Sequence, residues 1–118
     1  MKATLETDKQ NIERIIIYIN DMKTIIKDMK SYTELENSVA EKYAITQLIT
    51  NIYETISKLQ KDTFKQLKKL KKIRLYETRN ISSHHYIDID FKIIFDICQK
   101  LTTNDVKFEL EDFINAEQ

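Results

Sequence analysis

The sequence predicts an all-α protein: an up-and-down four-helix bundle with an additional short C-terminal helix, in a single domain covering residues 1–118. Three observations carry that prediction. Gly and Pro are both absent, against average usages of about 7% and 5%. Tight hairpins lean on glycine at positive φ, so strands would lack their ordinary connections. Apolar residues recur at steps of three and four along the chain, the repeat of a helix face. Helix-capping residues precede several of these runs.

In the first helix Ile12, Ile15, Ile19, Met22, Ile26 and Met29 form the core-facing seam. Ile16, Ile17 and Ile25 widen it beyond one stripe, which leaves a second surface for another subunit. Two overlapping capping boxes follow, Thr33-x-x-Glu36 and Ser38-x-x-Glu41; the second helix starts at one of them. It runs through Ile45, Ile49, Ile52, Ile56 and Leu59, reversed in direction by the short connection. Asp62 or Thr63 caps a third helix with Phe64, Leu67, Leu70, Ile73 and Tyr76 inward. The "YIDI" that follows alternates like a strand but has no partner strand. Asp90 instead caps a fourth helix, which buries Phe91, Ile94, Cys98 and Leu101. Asn104 caps the acidic fifth helix of Val106, Leu110 and Phe113.

Composition excludes much chemistry. Without glycine there is no phosphate-cradling loop, dinucleotide fingerprint or nucleophile elbow. No run of about 18 apolar residues or export leader is present, so neither membrane insertion nor secretion is expected. One cysteine, Cys98, cannot form an internal disulfide, and a reducing, cytoplasmic setting follows. Its helical spacing with Phe91, Ile94 and Leu101 makes it a core thiol rather than a nucleophile.

The net charge of zero conceals an asymmetry. From Lys58 to Arg74 a basic stretch, with Lys65, Lys68, Lys69 and Lys72 at its centre, faces the single acid Asp62. From Thr103 onward acids dominate. Such a stretch is either a solvated helix face or an approach for phosphates.

It leads into "TRNISSHHYIDID", residues 78–90, which holds both histidines of the chain. On a continuing helix Arg79 and Ser83 share a face, as do Asn80 and His84, so the four make one polar patch. Arginine stays protonated and clamps phosphate; histidine titrates near neutrality and moves protons. The pair suits RNA cleavage by the neighbouring 2′-hydroxyl, which needs proton transfer and charge stabilisation but no metal or other cofactor. Arg and His at a helix end also serve its dipole and loose carbonyls, which is the competing structural reading. His84, His85, Asp88 and Asp90 lack metal-ligand spacing, since adjacent histidines project about 100° apart on a helix.

"RNISSHHY" resembles the R-x-x-x-x-H-x-Y signature of the HepT toxins, a branch of the HEPN ribonuclease superfamily. Arg79, His84 and Tyr86 occupy its fixed positions, and Asn80 matches the asparagine that often follows the arginine. The order of helices is similar over nearly the whole chain, as is "HYIDIDFKIIFDI", where the motif passes through an Ile-Asp step into an apolar helix. Two departures stand out. Tyr53-Glu54-Thr55 replaces a frequent Gly-Glu-Ala step, and a Pro-Trp pair common before the motif helix is missing.

The resemblance implies a HEPN-like fold and a toxin whose antitoxin is a minimal nucleotidyltransferase, MntA. It implies a homodimer that cuts RNA, tRNA or mRNA, without a metal. Arg79 would stabilise the scissile phosphate and His84 would act as acid or base. Asn80, with Ser83 beside it, would support the pair. Tyr86 would be the hydroxyl that the antitoxin adenylylates, and Lys65, Lys68, Lys69 and Lys72 would attract RNA. Two other readings compete: a non-catalytic helical partner of a nucleotidyltransferase, and a plain structural bundle.

Overall fold

The computed structural model describes residues 2–73, 75 and 89–116, with side chains from Thr7 onward. All regular structure among the described residues is helical. The first helix, α1 (Lys2–Ile26), is roughly 37 Å long at 1.5 Å per residue. It buries Ile12, Ile15, Ile19, Met22 and Ile26, as their spacing predicts. Ile16 and Ile25 sit at the margin of the core, whereas Ile17 stands 57% exposed.

A short helix, α2 (Tyr32–Glu36), drives Leu35 fully into the core before α3 (Val39–Ser57) begins. Ser38 occupies the N-cap of α3, but the capping box does not form. Its hydroxyl donates instead to the carbonyl of Glu34, 2.6 Å away, a local bond that competes with capping. Thr33 lies inside α2, whose N-cap is Ser31. In α3, Ile45, Ile49 and Ile52 are buried against α1, each contributing about 1.5–3 kcal/mol by leaving water. The two helices run antiparallel. Asp8, near the start of α1, meets Gln60 and Thr63 just beyond the end of α3.

The third helix departs from expectation. The stretch is split into α4 (Lys61–Gln66) and α5 (Lys68–Lys72) at Leu67, where φ is −89° and ψ is 68°. Asp62 and Thr63 lie inside α4, whose N-cap is Gln60. One continuous helix would stack Lys61, Lys65, Lys68, Lys69 and Lys72 at intervals of three and four, where like charges repel. The break keeps these lysines in solvent while Leu67, Leu70 and Ile73 stay buried. Ile73 is already extended, with ψ of 125°. The expected continuation through Tyr76 lies outside the described residues.

The C-terminal half follows its pattern closely. Asp90 caps α6 (Phe91–Leu101), its Oδ1 accepting the N–H of Lys92 at 3.0 Å. Phe91, Ile94, Cys98 and Leu101 are buried as expected, joined by Phe95 and Ile97. At the head of α7 (Asn104–Ala116) the capping oxygen belongs to Thr103, which accepts the N–H of Val106 at 3.4 Å, and Asn104 is the first helical residue. With 13 residues α7 is slightly longer than α6 (11) and shorter than α1 (25) and α3 (19). Val106, Leu110 and Phe113 face inward. No helix among the described residues is long and apolar enough to cross a membrane.

Candidate functional site

The signature residues Arg79, Asn80, Ser83, His84 and Tyr86 lie outside the described residues. Both shoulders of their segment are anchored in the core. On one side Leu75 is 6% exposed, and its N–H donates to the Ile73 carbonyl at 2.8 Å. On the other, Ile89 packs against the core one residue before the Asp90 cap. The segment therefore enters from α5 and leaves into α6 at fixed points.

Lys65, Lys68, Lys69 and Lys72 are all exposed, but they do not share one surroundings. Lys69 lines a groove against α7 together with Asp105, Glu109 and Asp112. The carboxylate of Glu109 accepts the N–H groups of Lys69 (2.8 Å) and Leu70 (3.0 Å). These are the second and third positions of α5, where an N-cap side chain would bond. Lys69 thus sits beside carboxylates that oppose a polyanion. Lys72 looks the other way, into a groove formed with α2 and α6.

That second groove brings together Lys30, Lys72, Lys92 and Lys100, of which the sequence pattern identified Lys72 alone. Of the other three, Lys30 precedes α2 and Lys92 and Lys100 lie on α6, without a charge run to mark them. Helical spacing reveals a helix face, not the element that faces it. Where the chain departs from the family pattern, Glu54 is exposed, while Tyr53 lines an apolar groove shared with Phe64 and Leu75. Thr55, in the place of a small residue, is buried and bonds the Asn51 carbonyl at 2.7 Å.

Cys98 is fully buried, and loss of solvation pushes its pKa up to about 12. A protonated thiol without access to solvent is no nucleophile. That removes the chain's one cysteine from the chemistry.

The sequence profile of the family described as "Ribonuclease HepT-like" matches residues 15–116. The chain belongs to the HepT-like ribonuclease family. The match spans all of the signature from Arg79 to Tyr86 as well as the grooves on either side of α5. The all-helical architecture agrees with the HEPN-like fold that the family implies. No curated protein and no solved structure matches the chain. Membership in the HepT-like family points to a ribonuclease of the HEPN toxin type acting on RNA.

Proposed function

We propose that this protein is the toxin of a HEPN/MNT toxin–antitoxin pair, a homodimeric, metal-independent endoribonuclease. The single observation that carries the reading is the family match across an intact R-x-x-x-x-H-x-Y signature. In the reaction, the 2′-hydroxyl of the substrate attacks the adjacent phosphorus and the bond to the 5′-oxygen breaks. The products are a 2′,3′-cyclic phosphate and a free 5′-hydroxyl. His84 moves a proton, taking it from the 2′-hydroxyl or giving it to the leaving oxygen. Arg79 holds the phosphate and offsets the charge that gathers in the transition state. Asn80 and Ser83 support the pair. Lys65, Lys68 and Lys72 attract the RNA backbone, so cleavage weakens as salt rises.

Neutralisation follows from the same site. The Tyr86 hydroxyl attacks the α-phosphate of ATP in an MntA-type antitoxin, pyrophosphate leaves, and AMP remains on the tyrosine. The added phosphate brings negative charge and bulk beside Arg79 and His84 in sequence, repelling RNA. The test is expression with and without the neighbouring nucleotidyltransferase. Growth arrest that disappears in Arg79→Ala and His84→Ala is expected, with AMP-sized mass increments on the co-expressed toxin. A stable complex with no arrest and no cleavage would instead favour a non-catalytic partner of the nucleotidyltransferase.

A further inference from the structure

The groove between α2, α5 and α6 has a volume of about 750 Å³ and is lined by Lys30, Tyr32, Lys72, Lys92, Ile93 and Lys100, among others. Among its described lining residues the one carboxylate is Asp96, and Lys100 holds it at 2.9 Å. That leaves Lys30, Lys72 and Lys92 on one concavity with no second carboxylate among its described lining residues; Glu34, outside that lining, accepts the backbone N–H of Lys30. A concave wall of one sign focuses its field and concentrates counter-charge. Of the lining residues Tyr32 is 37% exposed and Ile93 43% exposed, so aromatic and apolar surface is available beside the charges.

We infer that this groove holds a single-stranded stretch of the RNA substrate, with Lys30, Lys72 and Lys92 on its phosphates and Tyr32 under a base. The choice of RNA rests on the ribonuclease reading above; the groove itself rests on geometry. Lysine meets phosphate as a point charge and needs no fixed fork geometry. An aromatic face accepts any base, so the contact is indifferent to sequence. Position suits the role too. Lys72 stands seven residues before Arg79, and Lys92 six residues after Tyr86. The groove residues thus flank the signature on both sides in sequence. On this view the lysines of the basic stretch are not equivalent. Lys72 contacts the strand, while Lys69, among the acids of α7, does not.

The experiment measures binding of a fluorescent, 2′-O-methylated single-stranded oligonucleotide, which cannot be cleaved, by anisotropy over a range of salt. Lys30→Glu/Lys92→Glu is compared with Lys58→Glu/Lys61→Glu. Lys58 and Lys61 lie near Asp8 at the far end of α1 from Lys30, some 18 residues or roughly 27 Å along that helix. The groove variant should lose on the order of tenfold in affinity at low salt, and its salt slope should fall by roughly 1.4, two phosphate contacts' worth for a single strand. The control should change by less than about threefold. Equal losses in both variants, or no loss in the groove variant, would overturn the proposal. Displacement of the oligonucleotide by poly-glutamate as readily as by poly-uridylate would overturn it in favour of an acidic protein partner. Groove-dependent binding without cleavage of natural RNA would leave the groove standing and defeat the ribonuclease reading. Cleavage with unchanged KM in the groove variant would do the reverse.

Discussion

Glu109 caps a helix to which it does not belong. Its carboxylate, on α7, accepts the N–H of Leu70 at 3.0 Å and that of Lys69 at 2.8 Å, closing the start of α5 across 39 residues of sequence. The break at Leu67 exposes these donors, and the acidic C-terminal helix supplies their acceptor. The charge asymmetry between the two stretches thereby has a structural use as well as an electrostatic one.

The first prediction concerns that cap. Glu109→Ala should destabilise the protein by about 1 kcal/mol, the usual cost of losing an N-cap acceptor. At this size the melting temperature should fall by roughly 4 °C. Thermal unfolding followed by circular dichroism checks it; an unchanged midpoint would show that water replaces the carboxylate at no cost.

A larger loss is expected at Asp8. It is 1% exposed and accepts hydrogen bonds from the Gln60 N–H, the Gln60 side-chain amide and the Thr63 hydroxyl. Asp8→Ala strands these donors where α3 hands over to α4, at a cost of about 1–3 kcal/mol. Urea unfolding should show a lower midpoint than in Asp8→Asn, which keeps one acceptor oxygen. Equal midpoints in wild type and Asp8→Ala would contradict the assignment. Asp8 lies upstream of the family match at residue 15, so this fastening belongs to the part of α1 that the family profile does not cover.

Cys98 gives the fold an alkaline dependence. Its pKa is raised from 9.0 to about 12 by burial, so the folded state keeps a proton that the unfolded chain releases. The associated stability is fully present below the unfolded value near 9.0 and is lost as pH rises through the folded value of about 12. Between about pH 8 and 10 the wild type should therefore lose on the order of 1 kcal/mol more than Cys98→Ala, since keeping one proton bound costs about 1.4 kcal/mol for each tenfold fall in proton activity. Comparing the two proteins cancels the tyrosines and lysines that titrate nearby. Parallel loss in both would contradict it.

Tyr86→Phe should separate activity from control. The substitution removes the hydroxyl that receives AMP and leaves Arg79 and His84 in place. RNA cleavage by the variant alone should stay within about threefold of wild type, as expected for a group outside proton transfer. Protection by the co-expressed antitoxin and the AMP mass increments should both disappear. Full protection of the variant would mean that the antitoxin acts by occlusion.

Much of this architecture was legible in the residues. The seams of α1, α3 and α6 are periodic and strongly apolar, so their burial follows from spacing alone. Asp90 was recognisable as a cap because it stands directly before such a run. Ser38 was legible as a boundary but not in its bonding, because the Glu34 carbonyl that captures its hydroxyl belongs to α2, a helix too short to show periodicity. The break at Leu67 escaped for a related reason: the apolar spacing is helical throughout, and the repulsion among lysines competes with it. At the candidate site, the signature and Lys72 could be read from local sequence. Lys30 and Lys92 could not, since their common groove exists only once α2 and α6 pack together.

The most direct test of the central claim is incubation of unmodified protein with tRNA and mRNA in excess chelator, beside Arg79→Ala and His84→Ala. Wild type should cut, leaving 2′,3′-cyclic phosphate ends, and each variant should lose on the order of 100-fold or more in rate. Intact RNA at every wild-type concentration, or undiminished cleavage by both variants, would contradict the account.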